Sequence, residues 1–501
     1  MHDGTRSQQL VRGLGPVQAT ALVVGIVVGT GVFLKGAIIT QLTGSPGMAL
    51  AAWTTAGLLS LAGALTYAEL GAMLPSAGGE YVILREAYGD LVAFGFGWMR
   101  IIVGATSTAA VATSFATFLG SLTGARPPWV VVDGRLLGHL AHWQFGPPQV
   151  AAIAALAVIM SINCAGVVAG GRTQVVLATV KVAAVLVIIG GVLAVAPIGR
   201  WVSGLAGTLP TGSARHTLSA VATAGGTGPA PGAPVPGSPA AFGAAVVAAL
   251  WAYTGWSYLP NSAGEIRDPG RTLPRAIVSG TVLVMVLYVA LNAAYFIALP
   301  VDAVAAANST RYPDAPALAT RAVATLLGTG AGRAMTIVFL VSALGTLNGA
   351  MLTSPRVPFA MARAGQFFPA FGSVGRRSRA PTFAIVCIAA CAALMAASGT
   401  YDQLTDLVVF TYAVFYAFTG LALFVLRHRM PDRPRPYRVF GYPVVTLAFV
   451  IASVGLIVAM LRANPLVAWL ALALLALGLP AYGYFRRQMI GRDAYVSTSS
   501  S

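Results

Sequence analysis

Charge is what this 501-residue chain has least of. Only 9% of its residues are Asp, Glu, Lys or Arg, against about 25% in a soluble domain. Acidic residues number 14, and lysines only two, Lys35 and Lys181. Such scarcity excludes an ordinary soluble enzyme. A disordered chain is excluded too, because 57% of the residues are hydrophobic. Cysteine is nearly absent: Cys164, Cys387 and Cys391 all lie in apolar runs, and three such thiols make no disulfide framework. Cys387 and Cys391 share a helix face and read as two small buried residues rather than as a metal pair. None of the five histidines lies centrally in an apolar run, which argues against a histidine proton relay through one. A membrane enzyme would need a cluster of His, Asp, Glu or Ser–His at one depth, and a channel would need a repeated filter motif or rings of charge. Neither pattern is present, nor is a motif for a cofactor or a metal.

What the chain has instead is long apolar runs, with a mean hydropathy of +0.78. A spanning helix needs about 20 apolar residues. Twelve candidates meet this: 16–43, 46–73, 91–122, 148–168, 173–196, 241–263, 276–299, 331–362, 381–398, 402–426, 442–461 and 465–485. The expectation is an all-α protein in a lipid bilayer. The first run is too long for a cleaved leader and is read as retained. Twelve spans put both termini on one side. With the termini cytoplasmic, the inner segments hold 20 arginines and the outer ones 8, the bias that the positive-inside rule requires. The same bias accounts for most of the +17 net charge without nucleic acid. Residues 197–240, rich in Gly, Pro, Ala, Ser and Thr, are expected to be a mobile outer loop. The proline- and arginine-rich segment 431–443 links two spans on the inner side, where its arginines suit anionic headgroups.

Within the first run, Gly25-Ile-Val-Val-Gly29-Thr30-Gly31 has glycine at three of seven positions. Gly25 and Gly29, four apart, could serve close helix packing. Alternatively Gly29 and Gly31, each costing roughly 1 kcal/mol relative to Ala, interrupt the helix in mid-membrane. Backbone groups freed there are tolerated only if they line a cavity and meet a partner, and a zwitterion is a fitting partner. The sixth run has a matching feature, Trp251-Ala252-Tyr253-Thr254-Gly255-Trp256. Runs one and six are the first members of two successive sets of five, as an inverted repeat requires. Lys181 lies in the fifth run, and a lysine at helix centre costs about 2.5–3.5 kcal/mol on insertion scales. It is either a functional ammonium facing the interior, able to exchange a proton, or an anchor that snorkels. Lys35 is near enough to a run's end to snorkel. Glu69 and Arg100 lie near inner ends and read as a structural or gating network, with Arg85 or Glu80 as candidate partners. Trp251, Tyr253, Thr254, Ser257, Ser342, Thr346, Asn348 and Tyr412 are candidate cavity residues. None carries a negative charge, which favours a substrate with a neutral side chain.

Several motifs in order carry a resemblance over residues 10–488: Gly29-Thr30-Gly31-Val32-Phe33; Tyr67-Ala68-Glu69-Leu70-Gly71 with Pro75 through Gly78-Gly79-Glu80-Tyr81; Trp251 through Trp256 with Glu265-Ile266-Arg267-Asp268-Pro269; and Gly345-Thr346-Leu347-Asn348-Gly349 with Arg356. In these the chain resembles the amino acid–polyamine–organocation (APC) superfamily transporters, and within them the L-type amino acid transporter branch. The resemblance implies the LeuT-type fold: a ten-helix core in two inverted halves, 16–196 and 241–426, with helices 1 and 6 broken at Gly29 and Gly255. Residues 197–240 would join the halves, 427–488 would form two extra helices, and 1–15 and 489–501 would be cytoplasmic ends. It further implies that Val27, Thr30, Gly31, Trp251, Ala252 and Thr254 bind the substrate, with Trp251 and Glu69 in gating. Lys181 would occupy a sodium ion's place, beside Gly25, Ser342 and Thr346. The implied activity is sodium-independent secondary transport of small neutral amino acids across the plasma (inner) membrane, as an exchanger or a proton-coupled symporter. A cationic amino acid or polyamine carrier of the same fold is the alternative, and would need an acidic cavity residue. The outer loops hold no cysteine, so no covalently attached glycoprotein partner is expected.

Overall fold

In the computed structural model, residues 10–124, 127–136, 139–207, 235–308, 315–398, 401–463 and 465–499 are described. The helices are α1 Pro16–Val27, α2 Gly31–Thr43, α3 Pro46–Met73, α4 Glu80–Tyr88, α5 Asp90–Thr123, α6 Pro147–Cys164, α7 Val167–Val195, α8 Ile198–Ala206 and α9 Pro239–Ala252. A 3₁₀ segment, Trp256–Glu265, follows α9. Then come α10 Pro269–Ala298, α11 Val301–Ala305, α12 Leu318–Leu327, α13 Ala331–Thr353, α14 Arg356–Arg363, α15 Thr382–Ser398, α16 Tyr401–Arg429, α17 Val444–Ala463, α18 Pro465–Ala476 and α19 Gly478–Ser499. The protein is thus predominantly helical. Among the described residues, ten helical stretches are long and apolar enough to cross a bilayer, and the α1–α2 pair, bent by 44°, makes an eleventh, as in a multi-pass membrane protein. The remaining run, 381–398, forms the 17-residue α15, which at 1.5 Å per residue spans about 25 Å.

Local chemistry sets most helix starts. Proline occupies the first turn of α1, α3, α6, α9 and α10, where its missing N–H costs nothing. Ser45 and Ser238 cap α3 and α9 by accepting from the N–H of Met48 and Ala241. Pro269 begins α10 seven residues before the apolar run at 276, behind Asp268 at φ 45°.

Three features differ from expectation. Two strands pair antiparallel, β1 Val130–Leu136 with β2 His139–Phe145, setting Val130 opposite Phe145. The β-branched run Val130–Val132 was the sequence signal. Trp143 Nε1 docks the pair by donating to Ala397 O, at the end of α15. Part of the expected outer loop is helical: in α8, Arg200 Nη1 donates to Ala298 O at 2.9 Å. Of that loop, 208–234 lie outside the described residues. Finally α19 runs on to Ser499, through most of the expected tail.

Two packed groups stand out among the spanning helices. The bent pair α1–α2, α3, α9 and α10 pack on one another, joined by aromatic contacts such as Trp53–Tyr288 at 5.6 Å between ring centres. The second group is α5, α6, α13 and α15, with its own apolar core of Ala109, Ala112, Leu156, Leu347 and Ala389. Helix α7 touches both α1 and α13, and so stands at the seam between the groups.

At the end that carries the first described residues, the seam is latched. Glu265, at the end of the 3₁₀ segment, takes a two-pronged ion pair from Arg356 at 2.7 and 3.0 Å, both groups fully buried. Within the first group, backbone bonds from Leu14 N to Glu265 O and from Gly78 N to Asn261 O hold the 3₁₀ segment in place. Removing one partner of a buried pair strands the other charge, at about 3–5 kcal/mol. Glu265→Ala is therefore expected to lower the melting temperature of the detergent-solubilised protein by several degrees, and Glu265→Leu combined with Arg356→Met to recover most of it. A thermal melt of the three proteins makes the comparison.

Candidate functional site

The first break begins where α1 runs into Val27, Val28 and Gly29. The last α-type bond is Val28 N to Val24 O at 2.8 Å. Val28 then adopts φ −71°, ψ 75°, and Gly29 N turns back onto Val27 O at 2.7 Å. That is an inverse γ-turn. Gly29 N would have closed the next helical bond on Gly25 O, so the turn orphans that carbonyl. Helix α2 restarts at Gly31, and its first turn presents N–H groups that no helical carbonyl precedes, at the positive end of a helix dipole.

The second break follows Ala252. Thr254 N bonds Trp251 O at 3.3 Å, and the Thr254 hydroxyl caps the same carbonyl at 2.8 Å. Gly255 then takes φ 127°, a conformation that side chains rarely adopt. A Cβ there would also lie 2.7 Å from Ile26 Cγ2. On the other side, a Cβ on Gly31 would lie 2.9 Å from the Trp251 ring and 3.1 Å from Ala252 Cβ. The two breaks therefore meet face to face, with glycine at each crossing. Gly29, Thr30, Trp251, Thr254 and Thr346 are half-buried around them, while Val27, Gly31 and Ala252 are buried.

Lys181 reaches this junction from α7. Its ammonium donates to Gly25 O at 2.7 Å, to Val28 O at 2.8 Å and to Thr346 Oγ1 at 3.2 Å. An ammonium has three donors and no acceptor, and here it meets three acceptors. Ser342 Oγ adds a second donor to Val28 O at 3.1 Å. Lys181 is 2% exposed, so it does not snorkel. Of the expected site residues, the structure thus brings together Gly25, Lys181, Ser342 and Thr346 with both breaks.

Other expectations shift. Val27 O is met by Gly29 N and, at 2.7 Å, by the Tyr288 hydroxyl, which also lies 3.2 Å from Ala252 O. Tyr288 on α10 was missed because a tyrosine in an apolar run reads as core. Asn348 turns from the breaks into a polar string: it donates to Gln174 Oε1 at 2.7 Å and accepts from Asn163 at 2.9 Å. Tyr253 donates to Trp53 O, and Tyr412 pairs with Tyr258 and Arg100. Lys35 is not simply snorkelling, since its ammonium sits 4.8 Å from the centre of the Trp251 ring. Glu69 is distant from the breaks by connection: it takes Arg427 at 2.8 and 2.6 Å and Val439 N at 2.6 Å, which clasps the 431–443 segment to α3. Its partners are not Arg85, which pairs with Asp90, nor Glu80.

Gly345 supplies the room for Lys181. A Cβ there would lie 2.6 Å from the lysine Cε and 2.8 Å from Nζ. Gly345→Ala crowds the ammonium off Gly25 O and Val28 O. About tenfold faster amide hydrogen exchange at the first break is expected with the fold retained, the order of one charged hydrogen bond. Exchange on the purified variant, beside its melting curve, reads both quantities.

The profile of the family described as amino acid permease matches residues 14–479. The serine/threonine exchanger SteT of Bacillus subtilis (strain 168) is 30% identical over 484 residues, 95% of this chain and 98% of its own. The b(0,+)-type amino acid transporter 1 of Homo sapiens is 28% identical over 468 residues, 92% of this chain and 85% of its own. The large neutral amino acids transporter small subunit 2 of Oryctolagus cuniculus is 28% identical over 476 residues, 94% of this chain and 80% of its own.

Proposed function

On the premise that the chain belongs to the amino acid permease family of the APC superfamily, we propose that it is a sodium-independent secondary transporter of small neutral L-amino acids. It works by alternating access, as an exchanger or a proton-coupled symporter. The observation that carries this reading is the Lys181 ammonium on the freed carbonyls of the first break. A fixed cation already fills the place where a coupling cation would otherwise satisfy those oxygens.

The substrate's carboxylate would take the free N–H groups at Thr30 and Gly31, aided by the helix dipole. Its ammonium would take a carbonyl at Val27 or Ala252. Tyr288 approaches both oxygens with one proton, so it can satisfy only one of them at a time. Trp251, held under Lys35, would cover the substrate as an outer gate, and Thr254 would narrow the pocket beside it. The side-chain pocket would stay uncharged. The name of the SteT relative, a serine/threonine exchanger, supports a small neutral substrate. The matching breaks in spans one and six support a LeuT-type pair of inverted halves, 16–196 and 241–426, within twelve spans. Rocking of the α1–α2, α3, α9 and α10 group against the second group would expose the site to each side in turn. The arginine bias supports cytoplasmic termini in a plasma (inner) membrane, and the lack of outer cysteines supports a carrier that needs no attached glycoprotein.

Proteoliposome uptake tests the reading. Saturable uptake of serine-sized neutral amino acids is expected in sodium-free buffer, and added sodium is expected to change nothing. Lys181→Ala should abolish it, since two freed carbonyls lose charged donors worth about 1.5–3 kcal/mol each. No saturable uptake of any amino acid, or uptake that requires sodium, would overturn the proposal.

A further inference from the structure

A second buried ionisable centre lies away from the substrate junction, and the transport reading leaves it without a task. The turn Gly78–Gly79, at φ 90° and 35°, jams the start of α4 against the 3₁₀ segment: a Cβ on Gly79 would sit 2.3 Å from the carbonyl carbon of Pro260. That close approach drives Glu80, the first residue of α4, into the protein, where it is 3% exposed. One carboxylate oxygen, Oε1, accepts from the Tyr67 hydroxyl of α3 at 2.5 Å and from the Thr419 hydroxyl of α16 at 2.7 Å. Both donors are fully buried.

Beside it lies Arg100 of α5, 4% exposed. Its guanidinium stacks 3.9 Å from the Tyr258 ring centre and 5.1 Å from that of Tyr412, and donates to the Tyr412 hydroxyl. Among the described residues, Arg100 Nε has no hydrogen-bond partner, and no carboxylate makes an ion pair with the group. The remaining charges around Glu80 are spoken for. Arg356 of α14 and Glu265 of the 3₁₀ segment close on each other, and Arg363 of α14 is exposed. Glu69 of α3 and Arg427 of α16 form the separate clasp. On α4 and the start of α5, Arg85 pairs with Asp90, Glu86 is exposed, and Tyr81 donates to Gln366. Tyr416 of α16 donates to, or accepts from, Ser257. Glu80 with its two hydroxyl donors, and Arg100 beside it with Tyr258 and Tyr412, thus make a buried polar cluster that joins both helix groups to α16, at the latched end.

We propose that Glu80 is a proton-binding site, taking up a proton as this end of the carrier closes and releasing it into the adjoining solution as the end opens. The coupling rests on the transporter reading above; the proton site itself does not. Burial pushes the Glu80 carboxyl up to about 7, and the hydroxyls of Tyr67 and Thr419 and the charge of Arg100 only partly offset that. Hydrated in an open end, the group would return to the usual carboxylate range, near about 4.3. A proton binds more tightly to the state with the higher pKa, which is the closed one. Lowering the pH through about 7 therefore favours closure, and raising it favours opening, by up to roughly five-hundredfold in the ratio of the two.

The test is an infrared titration of the purified protein, read together with amino acid exchange in proteoliposomes over the same pH range. The carbonyl stretch of a protonated carboxyl should appear as the pH falls through about 7 and should be missing in Glu80→Gln. Tyr67→Phe and Thr419→Val remove donors that favour the charged form. Each should therefore move the midpoint to higher pH, and they carry the test if Glu80→Gln fails to fold. Exchange by the intact protein should vary with pH across neutrality, and Glu80→Gln should be flat at the wild-type acid limb. A titration unchanged in Glu80→Gln, midpoints unmoved by both hydroxyl deletions, or exchange indifferent to pH would each overturn the proposal. An intact titration in a protein that moves no amino acid would uphold the proton site and sink the transport reading instead.

Discussion

One ammonium holds the centre of this protein together. A helix broken in mid-membrane exposes carbonyls that neither lipid nor apolar side chains can satisfy, at a cost of several kcal/mol per group. Lys181 meets two of those carbonyls and one hydroxyl with its three N–H donors. The match works in both directions, because a buried lysine would be as costly as the orphaned oxygens if either stood alone. Gly345 makes room for the side chain, and Ser342 shares Val28 O. The γ-turn at Val28, the restart of α2 and the approach of Gly255 to Ile26 all presuppose that the break is stabilised.

Around this centre, buried polar side chains form a few strings, each tying one helix to another. Tyr288 links the two breaks, while Gln174, Asn348 and Asn163 extend the site's support along α7, α13 and α6. The Arg356–Glu265 pair and the cluster around Glu80 and Arg100 both sit at the latched end. An end that can open must be closed by contacts that water can replace, and ion pairs and hydroxyl bonds are such contacts where apolar packing is not. Some of the polar atoms there, such as Asn261 Nδ2 and Oδ1, have no partner among the described residues, as suits groups hydrated in another state.

Much of this was legible in the sequence, for physical reasons that can be named. Apolar runs of spanning length located the membrane helices because lipid permits little else. The Gly25–Gly31 cluster and Gly255 marked the breaks because only glycine fits φ 127° and the close crossing of the two segments. Lys181 stood out because a lone lysine in an apolar run has few explanations. What stayed hidden depended on orientation. Tyr288, Tyr67 and Thr419 look like ordinary core until their hydroxyls are seen to aim at specific oxygens. The partners of Glu69 lie about 360 residues away in the chain, and no periodicity encodes such a pairing. The β1–β2 pair was overlooked because a short β-branched run between spans carries little weight beside them.

The most direct measurement is amide hydrogen exchange at Gly25–Gly31, compared between the wild-type protein and Lys181→Ala. If the ammonium holds the break, its loss should speed exchange there by roughly one to two orders of magnitude, the equivalent of one or two charged hydrogen bonds. The Glu69–Arg427 clasp should be unaffected. Exchange at the break that is the same with and without Lys181 would contradict its central place.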